Sequence, residues 1–217
     1  MDKLVAMWSS LGITFSGAFE QEYSPEEAII ATIQHGLFPK DRKMFAMMLL
    51  WLTKHHRYVH VERLKNMLVD VNMAELSVLA GLALKMLNQK DHRWNAIVRY
   101  VDKKRGTEPI SFPTICDHPL FIKRHGLDLE FSRYGISVAV LHPAAENKIL
   151  SETKVLHLNR WIKNRCLFGV NYRADMVTVM QLKLASSAYK AAKVLHCSVN
   201  ASYSHWRDLQ KVSEAIL

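Results

Sequence analysis

The sequence has 217 residues, and its 29 lysines and arginines outnumber its 20 aspartates and glutamates, which gives a formal net charge of +9. Apolar residues make up 49% of the chain and charged residues 23%, a balance that excludes disorder as the main state because it supplies enough apolar surface for a core. Eight glycines and six prolines are too few for a turn-rich β-sandwich. The length suits one large domain or two small ones.

The positive charge is concentrated in two parts of the chain. Residues 1–38 contain one basic and five acidic residues, whereas residues 39–108 contain fourteen basic and seven acidic residues. Residues 109–150 contain four of each, and residues 151–217 contain ten basic and four acidic residues. Two basic blocks therefore flank a neutral middle region. Such blocks are typical of a surface that binds an acidic partner, such as nucleic acid.

No part of the sequence has the pattern of a membrane span or a targeting signal. The longest dense apolar run, Met44 to Leu52, is nine residues long, whereas a bilayer-spanning helix needs about 20. Polar residues interrupt the apolar patch at the N-terminus, which is not typical of a secretory signal. The cysteines Cys116, Cys166 and Cys197 are far apart and form no CxxC pair, so they predict neither a disulfide framework nor a zinc ribbon. We expect a reducing, cytoplasmic setting.

The first half of the chain is predicted to be helical. The tetrapeptide at residues 24–27 combines an N-cap serine, a proline suited to the first helical position and a glutamate at capping-box spacing. This helix is expected to end at Gly36. Asn72 is expected to cap a helix that runs to about residue 88. Further helices are predicted from Asp41 to about His55, from Glu62 to Leu68 and from Arg93 to Lys104, with a short extended segment at Tyr58–His60.

Residues 106–142 are predicted to form a small β element. Prolines and glycines fall there at turn-like intervals, the segment Leu127–Phe131 alternates between apolar and charged residues, and Ile136–Leu141 is a β-branched run. Helical patterns return at Ala144–Leu150, Val155–Phe168 and Ala174–Leu182. We therefore expect a mainly α-helical fold in three parts. These are a helical N-terminal domain at residues 1–108, a small β and loop region at 109–150, and a helical C-terminal domain at 151–217.

The most specific pattern lies in residues 186–211. A helix over about residues 187–196 is expected to place Ala192 and Leu195 on one side. Residues 197–200 then interrupt the helical pattern. A second helix is expected to carry three apolar residues on its inner face, namely Tyr203, Trp206 and Leu209.

This pattern resembles the helix-turn-helix of bacterial DNA-binding proteins, over about 25 residues. In that family a small residue in the first helix lets the second helix cross closely, and apolar residues of the second helix lock the pair. Ala192, Leu195, Tyr203 and Trp206 stand in these roles. Two features differ from the family pattern. His196 occupies the turn position usually held by glycine, and the turn is one residue longer before the first apolar residue of the second helix.

The resemblance implies that the exposed positions of the second helix face the major groove of DNA. Arginine binds guanine and asparagine binds adenine through paired hydrogen bonds, and serine suits phosphates or base edges. The implied base-reading residues are Asn200, Ser202, Ser204, His205 and Arg207, and the implied phosphate-binding residues are Lys190, Lys193 and Lys211. An ordinary helical hairpin with a basic face and a protein-binding surface are alternative interpretations of this segment.

A second pattern, in residues 41–105, favours the same class of protein. A long helix, an extended segment, a short helix and a longer helix follow one another in the order of a winged-helix domain, and Asn88–Trp94 is available for a wing turn. The helix from Met73 is too apolar to read bases. The phosphate contacts predicted in this block are therefore Arg93, Arg99, Lys103, Lys104 and Arg105.

Enzymatic and metal-binding sites are only weakly indicated. His55, His56 and His60 are close in sequence, but no HExxH motif is present and a basic helix end explains them. No GxSxG, Walker or GxGxxG motif is present, so we predict no catalytic residue, no metal and no cofactor. A metal-dependent nuclease would need acidic groups near the predicted sheet, for which the candidates are Asp128, Glu130 and Glu146, with Lys148.

Trp161 is the aromatic residue best placed to stack on a single-stranded base, because Arg160, Lys163 and Arg165 surround it in sequence. The alternative is a tryptophan that anchors an amphipathic helix with a basic outer face.

The leading hypothesis is a non-enzymatic protein that binds double-stranded DNA, as a transcriptional regulator or as an antitoxin or accessory factor of a defence system. We expect a homodimer, because such regulators usually read two half-sites. The alternatives are a protein-interaction or assembly subunit with basic faces for an acidic partner, and a metal-dependent nuclease.

Overall fold

The computed structural model describes residues 3–15, 21–36, 42–106, 114–115, 118–141 and 143–216. The described chain is mainly helical, as predicted. Short 3-10 helices span His56–Tyr58, His92–Trp94 and Pro143–Lys148. The α-helices are α1 (Lys3–Ser10), α2 (Pro25–Gly36), α3 (Arg42–His55), α4 (Val61–Asn66), α5 (Met73–Asn88), α6 (Asn95–Arg105), α7 (Pro119–His125), α8 (Leu129–Ser132), α9 (Glu152–Leu158), α10 (Arg160–Phe168), α11 (Tyr172–Gln181), α12 (Ala188–Leu195) and α13 (Val199–Ile216).

Local capping signals start two of these helices where the sequence predicts. The backbone N–H of Ser24 donates to Oε2 of Glu27 at 2.9 Å, and the Glu27 N–H donates back to the serine hydroxyl at 3.4 Å. At the start of α5, the N–H of Glu75 donates to Oδ1 of Asn72 at 2.9 Å, and the Asn72 N–H donates to the glutamate at 3.2 Å. Both are capping boxes, which satisfy backbone donors that the first helical turn leaves free.

Helices α3 and α5 lie at the centre of the main core, because both are apolar on more than one face. Trp8 of α1 packs edge-on against Trp51 of α3, with ring centroids 5.6 Å apart. The Trp8 indole N–H donates to the hydroxyl of Thr32 at 2.7 Å, and that of Trp51 donates to the Leu11 carbonyl at 2.7 Å. These bonds satisfy the polar atoms of two fully buried rings.

Helix α8 packs closely on α5 because Gly81 has no side chain. A Cβ at Gly81 would lie 2.5 Å from a ring carbon of Phe131, which is fully buried. The same ring packs edge-on against Phe45 of α3 at 5.5 Å between centroids. A larger residue at position 81 would therefore displace α8 from the core.

The small central β element is present, but the strand predicted at Leu127–Phe131 is wrong. The described strands are β1 (Thr114–Ile115) and β2 (Ile136–Ser137), which pair in parallel with Thr114 opposite Ile136. Residues 129–132 form α8 instead, and from this turn Phe131 packs against α5 at Gly81. Five residues of alternation are too short to separate a strand from such a turn.

The winged-helix interpretation finds no support in residues 42–106. The structure places no strand there, and residues 88–94 form a turn followed by the 3-10 helix His92–Trp94 in place of a wing turn. The extended segment expected at Tyr58–His60 begins as the 3-10 helix His56–Tyr58. The helix predicted from Asp41 is α3, and Asp41 itself lies outside the described residues.

A second, smaller core lies among the last four helices. Its buried members are Trp161, Met176, Val179, Ala191 and Leu195. Val155 and Ile162, by contrast, are buried in the main core. Helices α9 and α10 therefore contact the main core, while α11, α12 and α13 are organised around the second one. The domain boundaries drawn from the sequence stay predictions.

Candidate nucleic-acid interface

Helices α11, α12 and α13 form a three-helix unit with a side-chain cap at the start of each helix. Asn171 accepts from the N–H of Ala174 at 3.0 Å, and Ser187 accepts from Lys190 at 3.4 Å. Ser198 accepts from Ala201 at 3.2 Å. Each cap ends the preceding loop and fixes where the next helix begins.

The turn between α12 and α13 is tight because His196 adopts a left-handed conformation. Its φ is 52° and its ψ is 43°, and the following Cys197 N–H donates to the Ala192 carbonyl at 3.1 Å. A glycine is the usual residue at such a helix end because it lacks a Cβ. His196 thus takes the backbone geometry of the glycine that the helix-turn-helix pattern has at this position.

The second helix is rotated relative to the orientation predicted from its apolar residues. Ser202 is fully buried, and its hydroxyl donates to the Ala188 carbonyl of α12 at 2.6 Å. Tyr203, predicted to face inward, is 56% exposed. The prediction of Ser202 as a base-reading residue is therefore wrong, because its side chain is enclosed between the two helices. The first buried residue of α13 comes one position earlier than predicted, so the turn does not have the extra residue.

Two of the predicted inner residues of α13 do contact the second core. Trp206 and Leu209 are half-buried and pack against it. Ala191 and Ala192 are buried on the facing side of α12. Small side chains there allow the two helices to approach closely.

The outer face of α13 carries most of the predicted DNA-contacting residues. Asn200, Ser204 and Arg207 are exposed, and His205 is half-buried. Lys190 and Lys193 are exposed on α12, and the Lys193 ammonium lies 4.7 Å from the centre of the Tyr189 ring. Within residues 183–211, the exposed side chains with a formal charge are Lys183, Lys190, Lys193, Arg207 and Lys211 against Asp208.

The basic block at α6 divides into exposed and internally bound side chains. Arg99, Lys103 and Lys104 are exposed. Arg105 forms an ion pair with Asp102 at 3.5 Å and is partly covered. The Arg93 guanidinium is bound within the protein: Nε donates to Asp91 at 2.9 Å, Nη1 donates to the Val59 carbonyl at 3.2 Å and Nη2 donates to the Arg57 carbonyl at 3.1 Å. Few of its donors are left for a phosphate.

A buried charge network, which the sequence did not reveal, attaches the three-helix unit to the main core. Glu26 of α2 binds Arg165 of α10 through two hydrogen bonds of 2.8 Å, from Nη1 to Oε1 and from Nη2 to Oε2. Nη1 of Arg63 of α4 also donates to Oε2 of Glu26, at 3.0 Å. Nε of Arg165 donates to Asp175 of α11 at 2.7 Å. All four of these side chains are fully buried.

The network extends into α12 and its turn. Nη2 of Arg63 donates to the Val194 carbonyl at 3.2 Å, and the Asn66 amide donates to the His196 carbonyl at 3.0 Å. These bonds bind the carbonyl end of α12 to α4. The pKa of His196 is lowered, first by burial and then by the Arg63 charge, so its ring is mostly neutral at pH 7.

The buried network excludes Trp161 as a base-stacking residue, and its burial agrees with the alternative of a tryptophan that anchors its helix. The Trp161 ring is fully buried, with the Arg63 guanidinium 4.6 Å and the Arg165 guanidinium 5.7 Å from its centre. Arg165, which the sequence placed among the basic residues around Trp161, thus lies over the buried ring together with Arg63. Positively charged groups over the ring face are favourable because the face carries negative charge density.

The residues considered for a nuclease do not form a cluster of free carboxylates. The Lys85 ammonium lies 2.5 Å from Asp128 and 3.5 Å from Glu130, so it forms an ion pair with each of them. Burial raises the pKa of Asp128, which is 2% exposed. Glu146 lies on the 3-10 helix Pro143–Lys148, whose carbonyl at position 146 accepts from Lys54 at 3.0 Å. In the described part of the chain, no three histidine, cysteine or acidic residues are grouped as a metal site.

The three histidines considered as metal ligands each bind a different partner. Nε2 of His55 lies 3.0 Å from the Leu150 carbonyl, and Nδ1 of His56 lies 2.9 Å from Asp91. Nδ1 of His60 lies 2.7 Å from Asp175. Burial lowers the pKa of His55 and keeps the ring neutral. The histidines therefore do not converge on one ion.

Comparison with known proteins adds nothing to these observations. No protein-family model, no curated protein and no solved structure matches the chain. Among the described residues, no helix combines the length and the apolar character needed to cross a bilayer.

Proposed function

We propose that this protein binds double-stranded DNA through the outer face of α13, with α12 held against the phosphate backbone. The observation that carries the proposal is the α12–α13 pair, which has a tight left-handed turn at His196 and exposes Asn200, Ser204 and Arg207 along one helix face. Arginine and asparagine are the side chains that form paired hydrogen bonds with guanine and adenine in the major groove. Lys190, Lys193 and Lys211 are the phosphate contacts.

The free charges of this face support the proposal. Among the described residues, none of the three lysines and Arg207 has an ion-pair partner within 4.0 Å. An unpaired cation is available to replace the counterions of a phosphate, whereas a paired one must first lose its partner. Arg99, Lys103 and Lys104 form a second basic surface on α6 that can contact backbone outside the recognised site.

The role that fits such a protein is that of a non-enzymatic, cytoplasmic transcriptional regulator, or of an antitoxin or accessory factor of a defence system. A homodimer would let two α13 helices read two half-sites one helical turn apart. Ser202 has no part in reading bases, because its hydroxyl is bonded to Ala188.

A selection from random-sequence duplexes tests the proposal. Wild type is expected to enrich a defined sequence, and Arg207→Ala is expected to lose about 1–3 kcal/mol of discrimination at one base pair. Lys190→Ala is expected to weaken binding to all duplexes alike. Lys154→Ala, which removes an exposed charge on α9, is the matched control and leaves both properties unchanged. An unaltered sequence preference in Arg207→Ala would overturn base reading by α13.

An acidic protein partner is the second candidate for the same surface. Val199 and Tyr203 are 41% and 56% exposed on α13, and Tyr189 is 50% exposed on α12. Exposed aromatic side chains are also typical of protein interfaces. Failure to bind any duplex at about 50 mM salt would favour this candidate over DNA.

A further inference from the structure

A cleft lies beside the start of α4 and is separate from the outer face of α13. Its volume is about 390 Å³, and its walls include His60, Glu62, Lys65 and Arg93, with Ala96 and Val170 as apolar contacts. A volume of a few hundred Å³ is the usual size of a small-molecule site.

His60 is held rigidly at the wall of this cleft. Its side chain is 6% exposed, and its ring lies against Tyr172 with the centroids 4.5 Å apart. Nδ1 lies 2.7 Å from Oδ2 of Asp175, and the backbone N–H donates to Oε1 of Glu26 at 2.7 Å. The preceding carbonyl groups are bound as well, that of Tyr58 by Arg165 and that of Val59 by Arg93. The imidazole is therefore fixed before any ligand arrives.

The orientation of the ring leaves Nε2 for the cleft. Burial alone would raise the pKa of Asp175, but the Arg165 charge and hydrogen bonds from His60 and Arg165 hold it well below its usual range. An ionised carboxylate only accepts, so Nδ1 of His60 carries a proton. In the described part of the chain, Nε2 of His60 has no hydrogen-bond partner. It does not belong to the fully buried side-chain atoms that lack a partner, so it keeps some contact with solvent. A buried polar side chain with one free nitrogen thus borders the cleft.

Lys65 supplies the free positive charge of the cleft. The structure records no ion pair for it among the described residues, whereas Arg93 is paired with Asp91 at 2.7 Å. Glu62 is exposed and is the carboxylate on the cleft wall. An ammonium group and an imidazolium, which donates from Nε2 as well as from Nδ1, form a pair of donors for an oxyanion.

We propose that this cleft binds a small ligand through an oxyanion group, a carboxylate or a phosphate, with Nζ of Lys65 and Nε2 of His60 as its two contacts. In the bound state the ring donates from Nε2 to the anion, and Nδ1 donates to Asp175. The apolar side chains of Ala96 and Val170 contact the rest of the ligand. Binding at this cleft does not depend on DNA binding by α13.

Titration of the full-length protein with inorganic phosphate and, separately, with acetate tests the proposal, at constant ionic strength set with chloride. The readout is the side-chain nitrogen signals of His60 in long-range ¹H–¹⁵N spectra, assigned by their loss in His60→Gln. At least one of the two probes is expected to shift the Nε2 signal saturably. Lys65→Gln is expected to weaken that binding about tenfold, because it removes a charged hydrogen-bond donor.

Two surface variants make the result decisive without disturbing the buried network. Glu62→Gln is expected to tighten binding severalfold, because it removes the carboxylate that repels an anion, and Lys154→Gln on α9 is expected to leave binding unchanged. A tighter response to phosphate than to acetate would assign the ligand group as phosphate, and the reverse order would assign it as a carboxylate. The absence of a saturable shift with both probes, or equal affinity in Lys65→Gln and wild type, would overturn the proposal.

Discussion

Ser202 determines how α13 is rotated against α12. Its hydroxyl is buried and donates to the Ala188 carbonyl at 2.6 Å, while the neighbouring Tyr203 is mostly exposed. A prediction that places the most apolar residues of α13 inward would bury Tyr203. In the structure the small Ser202 lies at the crossing instead, against the buried alanines of α12, where small side chains allow the two helices to approach closely.

Removal of the Ser202 hydroxyl should therefore be measurable as a loss of stability. Ser202→Ala is expected to lower the free energy of unfolding by about 1 kcal/mol, the usual net contribution of one internal hydrogen bond. Ser204→Ala, the same substitution on the exposed face of α13, is expected to stay within about 0.5 kcal/mol of wild type. Urea denaturation of the two variants measures both values, and equal effects would contradict the rotation described for α13.

Asp91 shows how a single residue makes stability depend on pH. Burial opposes its ionisation, but hydrogen bonds from Arg93 and His56 are stronger together and lower its pKa from 3.8 to about 2. A carboxyl whose pKa is lower in the folded state stabilises the protein above its unfolded-state pKa. That contribution is lost as the pH falls from near 3.8 through about 2.

The stability advantage of wild type over Asp91→Asn is therefore expected to shrink as the pH is lowered from about 5 to about 2. Asp70→Asn is the matched control, because Asp70 is exposed and has no ion pair among the described residues. Urea denaturation at a series of pH values gives both differences. A constant advantage over Asp91→Asn across this range would argue against the Asp91–Arg93–His56 contacts.

At the scale of elements, the buried network of Glu26, Arg63, Arg165 and Asp175 fixes α2, α4, α10 and α11 relative to one another. Each carboxylate is needed because burial of an unpaired guanidinium is far more unfavourable than burial of a matched pair. The network also reaches α12 through the Val194 carbonyl. The position of the proposed DNA-binding face thus depends on charges that are nowhere exposed.

Loss of one negative charge from this network should be strongly destabilising. Glu26→Gln is expected to lower the free energy of unfolding by about 3–5 kcal/mol, because two buried arginines then share one carboxylate fewer. Glu75→Gln is the matched control, since glutamine also serves in the capping box at Asn72. Chemical denaturation followed by tryptophan fluorescence measures the free energy of unfolding of both variants. Equal stability of Glu26→Gln and Glu75→Gln would contradict this role of the network.

The sequence predicted the elements whose signals are local and missed those whose partners are distant. The caps at Ser24 and Asn72 involve residues three positions apart, so a short segment contains all of their information. Arg165 instead binds Glu26, 139 residues away in the chain. In the sequence Arg165 is indistinguishable from a surface arginine, which is why base stacking by Trp161 was left open beside an anchoring role.

The same distinction applies to the candidate interface. The turn at His196 and the inward positions of Trp206 and Leu209 follow from local patterns, and so do the exposed Asn200, Ser204 and Arg207. The burial of Ser202 does not, because it depends on how closely α12 approaches. For the whole of the described chain, a mainly helical fold was predictable. The wing turn considered at residues 88–94 was not found, because residues 42–106 contain helices and no strand.

For the whole molecule, the net charge of +9 becomes informative once its free and bound parts are separated. Some of the positive charges are bound inside the protein. Arg63 and Arg165 pair with buried Glu26, and the Arg93 guanidinium binds Asp91. The lysines of α12 and the basic residues of α13 have no partner of that kind among the described residues. Their counterions are therefore available for release on binding to a polyanion.

The salt dependence of duplex binding tests the central claim most directly, since each phosphate contact contributes about −0.9 to the slope of log K against log salt. The double variant Lys190→Ala, Lys193→Ala is expected to bind more weakly, with a slope less steep than that of wild type by about 1.8. Lys154→Ala combined with Lys163→Ala, the same change on α9 and α10, is expected to keep the wild-type slope. No binding at about 50 mM salt, or the same slope for the α12 variant as for wild type, would contradict DNA binding by the α12–α13 surface.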